Sequence, residues 1–131
     1  MENRKAIRVG EIDVEVHREE RNWGEMLVSP ETVGSKNMWM GVGYLAPEEE
    51  MPSGAHDSEE ALLVMRGSGV LSAEGNDIPV KAGTVVYIPE NIKHSLRNSE
   101  KENMIFIFCV TTTHSGNTIA NFQGEICLNC G

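Results

Sequence analysis

From residue 38 to residue 110 the chain alternates short apolar, β-branched runs with tight turn clusters, and this rhythm constrains the fold more than any other feature. The runs are residues 38–45, then ALLVMR, GVLSAE, DIPV, TVVYI and NMIFIFCV, and the breaks are VGSKN, RGSG, EGND, KAG, PEN and NSEKEN. Runs this short, bounded so often by Gly, Asn, Asp and Pro, build an all-β sandwich or barrel. EEALLVMR has the length of a helical turn or two, but it is uncapped and closed by Gly67, so it reads as a strand. Residues 12–17 (DVEVHR) also alternate, with Val14 and Val16 on one face. Within 38–45, Met38, Met40, Val42 and Tyr44 alternate with Trp39, Gly41 and Gly43. Beyond Thr111 the periodicity is poor, and a short helix, a partner-docking arm and disorder all stay open for that tail.

A length of 131 residues fits a single domain, with a barrel core at about 38–110 and a C-terminal arm at 111–131. The net charge of −9 repels nucleic acid and anionic membranes. No apolar segment approaches the roughly 18 residues of a spanning helix, and the N-terminus has no secretory h-region. The three cysteines, Cys109, Cys127 and Cys130, are too few and too unevenly placed for a disulfide framework, so a cytoplasmic setting is expected. CLNC has C-x-x-C spacing but supplies only two of the four thiolates of a zinc site.

Two stretches carry the chemistry. The first is His56-x3-Glu60-x6-Gly67, and the second is Gly83-x5-Pro89-x-Asn91-x2-His94-x3-Asn98. Strand alternation points His94, Leu96 and Asn98 one way and Lys93 and Arg97 the other. Two imidazoles and a carboxylate aimed into a small barrel are a ligand set for a divalent transition metal with positions left open.

This pair of motifs resembles that of the cupins, whose first motif reads G-x5-H-x-H-x3-E-x6-G and whose second reads G-x5-P-x-G-x2-H-x3-N. The second is met with Asn91 in a glycine slot, and the first departs at Glu48, the opening glycine slot, and at Gly54, the first histidine slot. The resemblance implies a double-stranded β-helix, or jelly-roll barrel, of two packed antiparallel sheets. It also implies one divalent metal, Fe, Mn, Ni or Zn, held by His56, Glu60 and His94. Enzyme chemistry of isomerase, lyase or dioxygenase type on a small anionic or enolisable molecule is then expected. A non-catalytic binding or sensing cupin and a degenerate barrel used for assembly are the alternatives. Tyr87 is a candidate acid or hydrogen-bond donor, and Met38, Trp39, Met40, Met65 and Leu96 are candidates for the pocket wall. A small-molecule ligand and a homodimer are the expected partners, with neither nucleic acid nor membrane.

Overall fold

The turn clusters between residues 66 and 103 all fall at strand boundaries in the computed structural model, which describes residues 2–4, 7–12, 23–51, 54–55 and 57–111. His56, residues 13–17 of the expected N-terminal strand, and the arm at 112–131 with Cys127 and Cys130 lie outside the described residues. The strands are β1 (Glu2–Arg4), β2 (Ile7–Val9), β3 (Trp23–Val28), β4 (Met38–Leu45), β5 (Glu60–Arg66), β6 (Ser68–Ala73), β7 (Asn76–Lys81), β8 (Val85–Ile88), β9 (His94–Asn98) and β10 (Met104–Thr111). EEALLVMR is thus a strand. One short helix, α1 (Pro30–Val33), joins β3 to β4. Ser29 caps it: its Oγ accepts from Thr32 N–H at 3.2 Å, and Thr32 Oγ1 accepts from Ser29 N–H at 2.9 Å. This reciprocal pair satisfies two donors at a helix start.

Two antiparallel sheets carry the fold, one ordered β3-β4-β10-β5-β8 and the other β7-β6-β9, with β1 and β2 forming a small separate ladder. The stretch 49–54 runs along the free side of β9 through the bridges Glu50↔Arg97 and Gly54↔His94. The all-β barrel of two packed sheets is therefore what this chain forms.

Inward residues of both sheets make one core. Leu62 and Val64 of β5, and Met104, Phe106 and Phe108 of β10, meet Leu71, Val80 and Leu96 of the facing sheet. Burial of such side chains stabilises by roughly 1.5–3 kcal/mol each, the dominant favourable contribution to folding. Beneath Phe108 the backbone of β4 must come close: a Cβ at Gly41 would lie 2.4 Å from its ring, so only glycine fits there. A second cluster, Val42, Tyr44 and Ile105 with Ile12, Leu27 and Ile107 against it, covers the outer face of β4 and β10. These two strands are buried on both sides, which explains why residues 38–45 read as nearly continuous apolar sequence.

The inner face of β4 is set by Trp39, Gly41 and Leu45, so of the expected wall residues on this strand Trp39 faces the interior and Met38 and Met40 lie on the other face. Met38 is 60% exposed and Met65 of β5 is 41% exposed. Met40 lines a recess on the outer side with Ile12, Leu27 and Ile107. Strand parity decides this: Trp39 pairs with inward Val110, so Met38 and Met40 must point away.

The turns that the motifs predict are formed. Gly67 and Gly83 have φ of 91° and 93°, and Asn91, in its glycine slot, has φ of 62°. Glu48 also has φ of 62°. The opening slot of the first motif keeps its left-handed backbone even where a glutamate occupies it.

Candidate functional site

His94 opens β9 and Glu60 opens β5, so two strands from opposite sheets bring an imidazole and a carboxylate to one end of the barrel. His94 Nε2 lies 3.2 Å from Glu60 Oε1, and the side chains are 1% and 0% exposed. In register around them on the larger sheet stand Ile88, Glu60, Val110 and Trp39, one residue from each of β8, β5, β10 and β4. All four are buried, so among the described residues this end of the larger sheet is an apolar wall carrying a single carboxylate.

The tautomer follows from one further contact. His94 Nδ1 is 2.8 Å from the Ile92 carbonyl oxygen, which can only accept, so Nδ1 carries a proton. Burial pulls the pKa of His94 down, but the Glu60 carboxylate and the Ile92 carbonyl outweigh it and the net shift is upward. The ring is accordingly drawn toward its charged form, with Nε2 facing Glu60 Oε1. The same anchored Nδ1–H leaves Nε2 as the lone-pair donor that a cation requires. The donor pair therefore fits a divalent metal. Among the described residues no group of three or more His, Cys, Asp or Glu converges. Of the expected trio, Glu60 and His94 are brought together, and His56 lies outside the described residues.

Gly54 is the direct antiparallel partner of His94, exchanging backbone hydrogen bonds of 3.1 and 2.9 Å. Opposed residues of a ladder project to the same face. Position 54 thus faces the interior beside His94, and glycine leaves no side chain there. The acids just upstream do not take up this role. Glu49 Oε1 accepts from Ala46 N–H at 3.0 Å, Glu50 Oε1 accepts from Ser95 Oγ at 3.2 Å, and Glu48 is exposed.

Asn98, on the same face as His94, is structural. Its Nδ2 donates to the carbonyls of Leu45, Ala46 and Glu102 at 3.0, 3.1 and 2.7 Å, and its Oδ1 accepts from Glu100 N–H at 2.9 Å. Lys93 and Arg97 are exposed, as the alternation predicts. Leu96 is buried in the core, inward between His94 and Asn98.

Tyr87 is outside the barrel interior. It is 61% exposed, its partner across β5 is Ala61, and its hydroxyl donates to Glu59 Oε1 at 2.5 Å. That hydrogen bond, ahead of the smaller contributions, raises the pKa of the phenol, so it is a poorer acid than an ordinary tyrosine. Together with Met38, Trp39, Glu60, Ala61 and Val110 it nevertheless lines a recess of about 220 Å³ at the site end of the sheet. The Tyr87–Glu59 pair and the Ile92 anchor were not foreseen. Nothing in a sequence signals a backbone acceptor two residues from a histidine, or which acid meets a phenol 28 positions away.

The family model for the cupin domain matches residues 41–111. A Streptomyces cyaneus protein named polyketide synthase CurC is 30% identical over 101 residues, 72% of this chain and 66% of that protein. The oxalate-binding protein of Thermotoga maritima is 28% identical over 82 residues, 62% of this chain and 68% of that protein. The chain spans 40% to 68% of the length of the curated relatives it matches. Among solved structures, an RmlC-like cupin family protein with a double-stranded β-helix fold from Methanocaldococcus jannaschii aligns with a TM-score of 0.67. It is 24% identical, and the alignment covers 82% of this chain and 92% of that one. Among the described residues no helix is long and apolar enough to cross a membrane. With a domain match over more than half its length and a barrel of two antiparallel sheets, this chain belongs to the cupin family, whose members commonly bind a divalent metal and small-molecule ligands.

Proposed function

We propose that this cupin holds one divalent transition metal, Fe, Mn, Ni or Zn, through His94, Glu60 and His56, and uses it to act on a small anionic or enolisable molecule by isomerase, lyase or dioxygenase type chemistry. The observation that carries the reading is the His94–Glu60 pair, fully buried at 3.2 Å inside an otherwise apolar barrel end. Removing two ionisable groups from water is expensive, and well-packed apolar side chains in their place stabilise a fold at least as well. The pair is therefore better explained by chemistry than by folding.

Each group has a role derived from its surroundings. The Ile92 carbonyl fixes the His94 tautomer and ring orientation, so that Nε2 faces Glu60. Glu60 serves as an anionic ligand rather than a general base, because its carboxylate is held against His94. Ile88, Val110 and Leu62 keep water from the pair and lower the local dielectric. The metal, when bound, supplies Lewis acidity or a redox centre. Glycine at position 54 leaves room beside His94 for a ligand group, which suits a molecule that presents two oxygens. The name of the oxalate-binding relative supports a small carboxylate ligand. The same name favours a second reading, a cupin that binds such a molecule without transforming it. A cytoplasmic homodimer completes the proposal, and light scattering on the purified chain tests the dimer.

Elemental mass spectrometry on protein purified without chelator or affinity-tag metal tests the reading, beside His56→Ala and His94→Ala. About one equivalent of a single metal, lost in both variants, is expected. Protein that stays metal-free and takes up none of Fe(II), Mn(II), Ni(II) or Zn(II) sinks it.

A further inference from the structure

The two sheets differ in what they show to solvent. The outward positions of the smaller sheet carry Ser68, Ser72, Asp77, Lys81 and Arg97, an ordinary wet surface for a sheet covered on one side only. On the larger sheet, register sets Cys109, Ala61 and Tyr87 side by side in one outward row, and Ile107, Leu63 and Val85 in the next. None of these side chains is charged. Toward β3 this face is covered, with Ile12 and Leu27 packed on Val42, Tyr44 and Ile105. Toward β8 it lies open among the described residues: Val85 and Tyr87 are 70% and 61% exposed, and Ala61 and Cys109 are exposed beside them. A contiguous exposed apolar patch marks a surface that something covers.

The chain itself leads to that patch. Thr111, exposed at the end of β10, lines the recess of about 220 Å³ with Cys109, Ala61 and Tyr87. Two hydrogen bonds of 3.1 Å pin it there: its N–H donates to the Glu59 carbonyl, and the Glu59 N–H donates to its Oγ1. The chain thus leaves β10 at the rim of the open face. In residues 112–131, Glu125 is the only Asp, Glu, Lys or Arg, in a protein that is 24% charged, and Ile119, Phe122, Ile126 and Leu128 are large and apolar. A solvated tail ordinarily carries charge and few such groups. From β10 to β8 is two strand spacings, about 10 Å, which residues 112–131 exceed even at the helical rise of about 1.5 Å each. We infer that residues 112–131 dock on the outer face of β5 and β8 of their own chain, laying Ile119 and Phe122 on the two uncharged rows and closing the recess over Cys109. Docking of the arm needs no metal at the Glu60–His94 end.

Alkylation of Cys109 by iodoacetamide, read by mass spectrometry, tests the docking in full-length protein carrying Cys127→Ser and Cys130→Ser, where Cys109 is the sole thiol. Slow modification is expected. Phe122→Asp in that background should speed it about tenfold or more, the weight of one buried apolar side chain. An added carboxylate by itself disfavours the reactive thiolate, so faster modification reports uncovering. Val85→Glu, at an exposed position of the face, should act the same way and serves if Phe122→Asp folds poorly. Equal rates in the background and in the folded variant overturn the docking, and a rate that rises on dilution instead gives the face to a second copy. The arm of a second copy is the remaining rival. Light and isotopically heavy chains of Cys130→Ser protein are unfolded together, refolded and treated with a short bis-maleimide. Cys109–Cys127 links within one chain are expected. Links that join light to heavy chains overturn the assignment to the chain's own arm.

Discussion

Strand β9 places His94 and Asn98 four residues apart on the same inward face, both essentially inaccessible to solvent, yet the two ends of the barrel treat them differently. Around Asn98 every contact is with backbone: three carbonyls and one N–H, drawn from the β4 end and from the loop before β10. His94 instead meets the Ile92 carbonyl and the buried Glu60 carboxylate. A neutral amide ringed by backbone partners ties loops together at modest desolvation cost. An imidazole facing a carboxylate in an apolar shell is a strained use of the same depth. One end of the barrel is tied together by backbone contacts, and the other holds a buried histidine–carboxylate pair.

The sharpest way to break this comparison is at the His94–Glu60 end. His94→Ala should abolish metal binding and destabilise the metal-free protein by about 3–5 kcal/mol, since it strands Glu60. Replacing both His94 and Glu60 by leucine should abolish metal binding equally, yet leave urea stability unchanged or raised by about 1–4 kcal/mol. If the double variant is as unstable as the single one, the pair is structural and the contrast with Asn98 collapses. Asn98→Ala should lose about 3 kcal/mol, from four contacts at about 0.5–1.5 kcal/mol each, while the folded fraction keeps its full metal content. Next in size is metal itself. At a free concentration of 100 times Kd it should stabilise wild type by about 2.7 kcal/mol, read as a chelator-sensitive Tm, and should leave the double-leucine variant unmoved. Smallest is Glu48→Gly. Relief of a left-handed backbone is worth about 1–2 kcal/mol, offset by about 0.5–1 for the added freedom of the unfolded chain. A net gain of about 0.5–1 kcal/mol, with metal binding unaffected, is expected in denaturant unfolding.

Strand positions after residue 38 were legible because turn residues punctuate them and because β pairing rewards short apolar runs. His94 and Asn98 were correctly read as sharing a face, since a period of two is a local property. The facing of the methionines was not legible, for the opposite reason. Periodicity splits 38–45 into two faces, but both are apolar, and only pairing with β10 says which face looks inward. Strand β3 and helix α1 went unforeseen because their sequences carry no strong alternation, and their places come from packing beside β4.

By itself, then, the sequence determined a barrel of short strands, its left-handed turns, and the histidine and carboxylate that meet inside it, because spacing and backbone preference act over a few residues. Only the tertiary structure decided which face of β4 lines the interior, that Tyr87 belongs to the rim with Glu59, that position 54 lies opposite His94, and that Trp39 stands in one row with Glu60. Those facts depend on register between strands distant in the chain, and register is set by the summed packing of two sheets rather than by any residue's own neighbours.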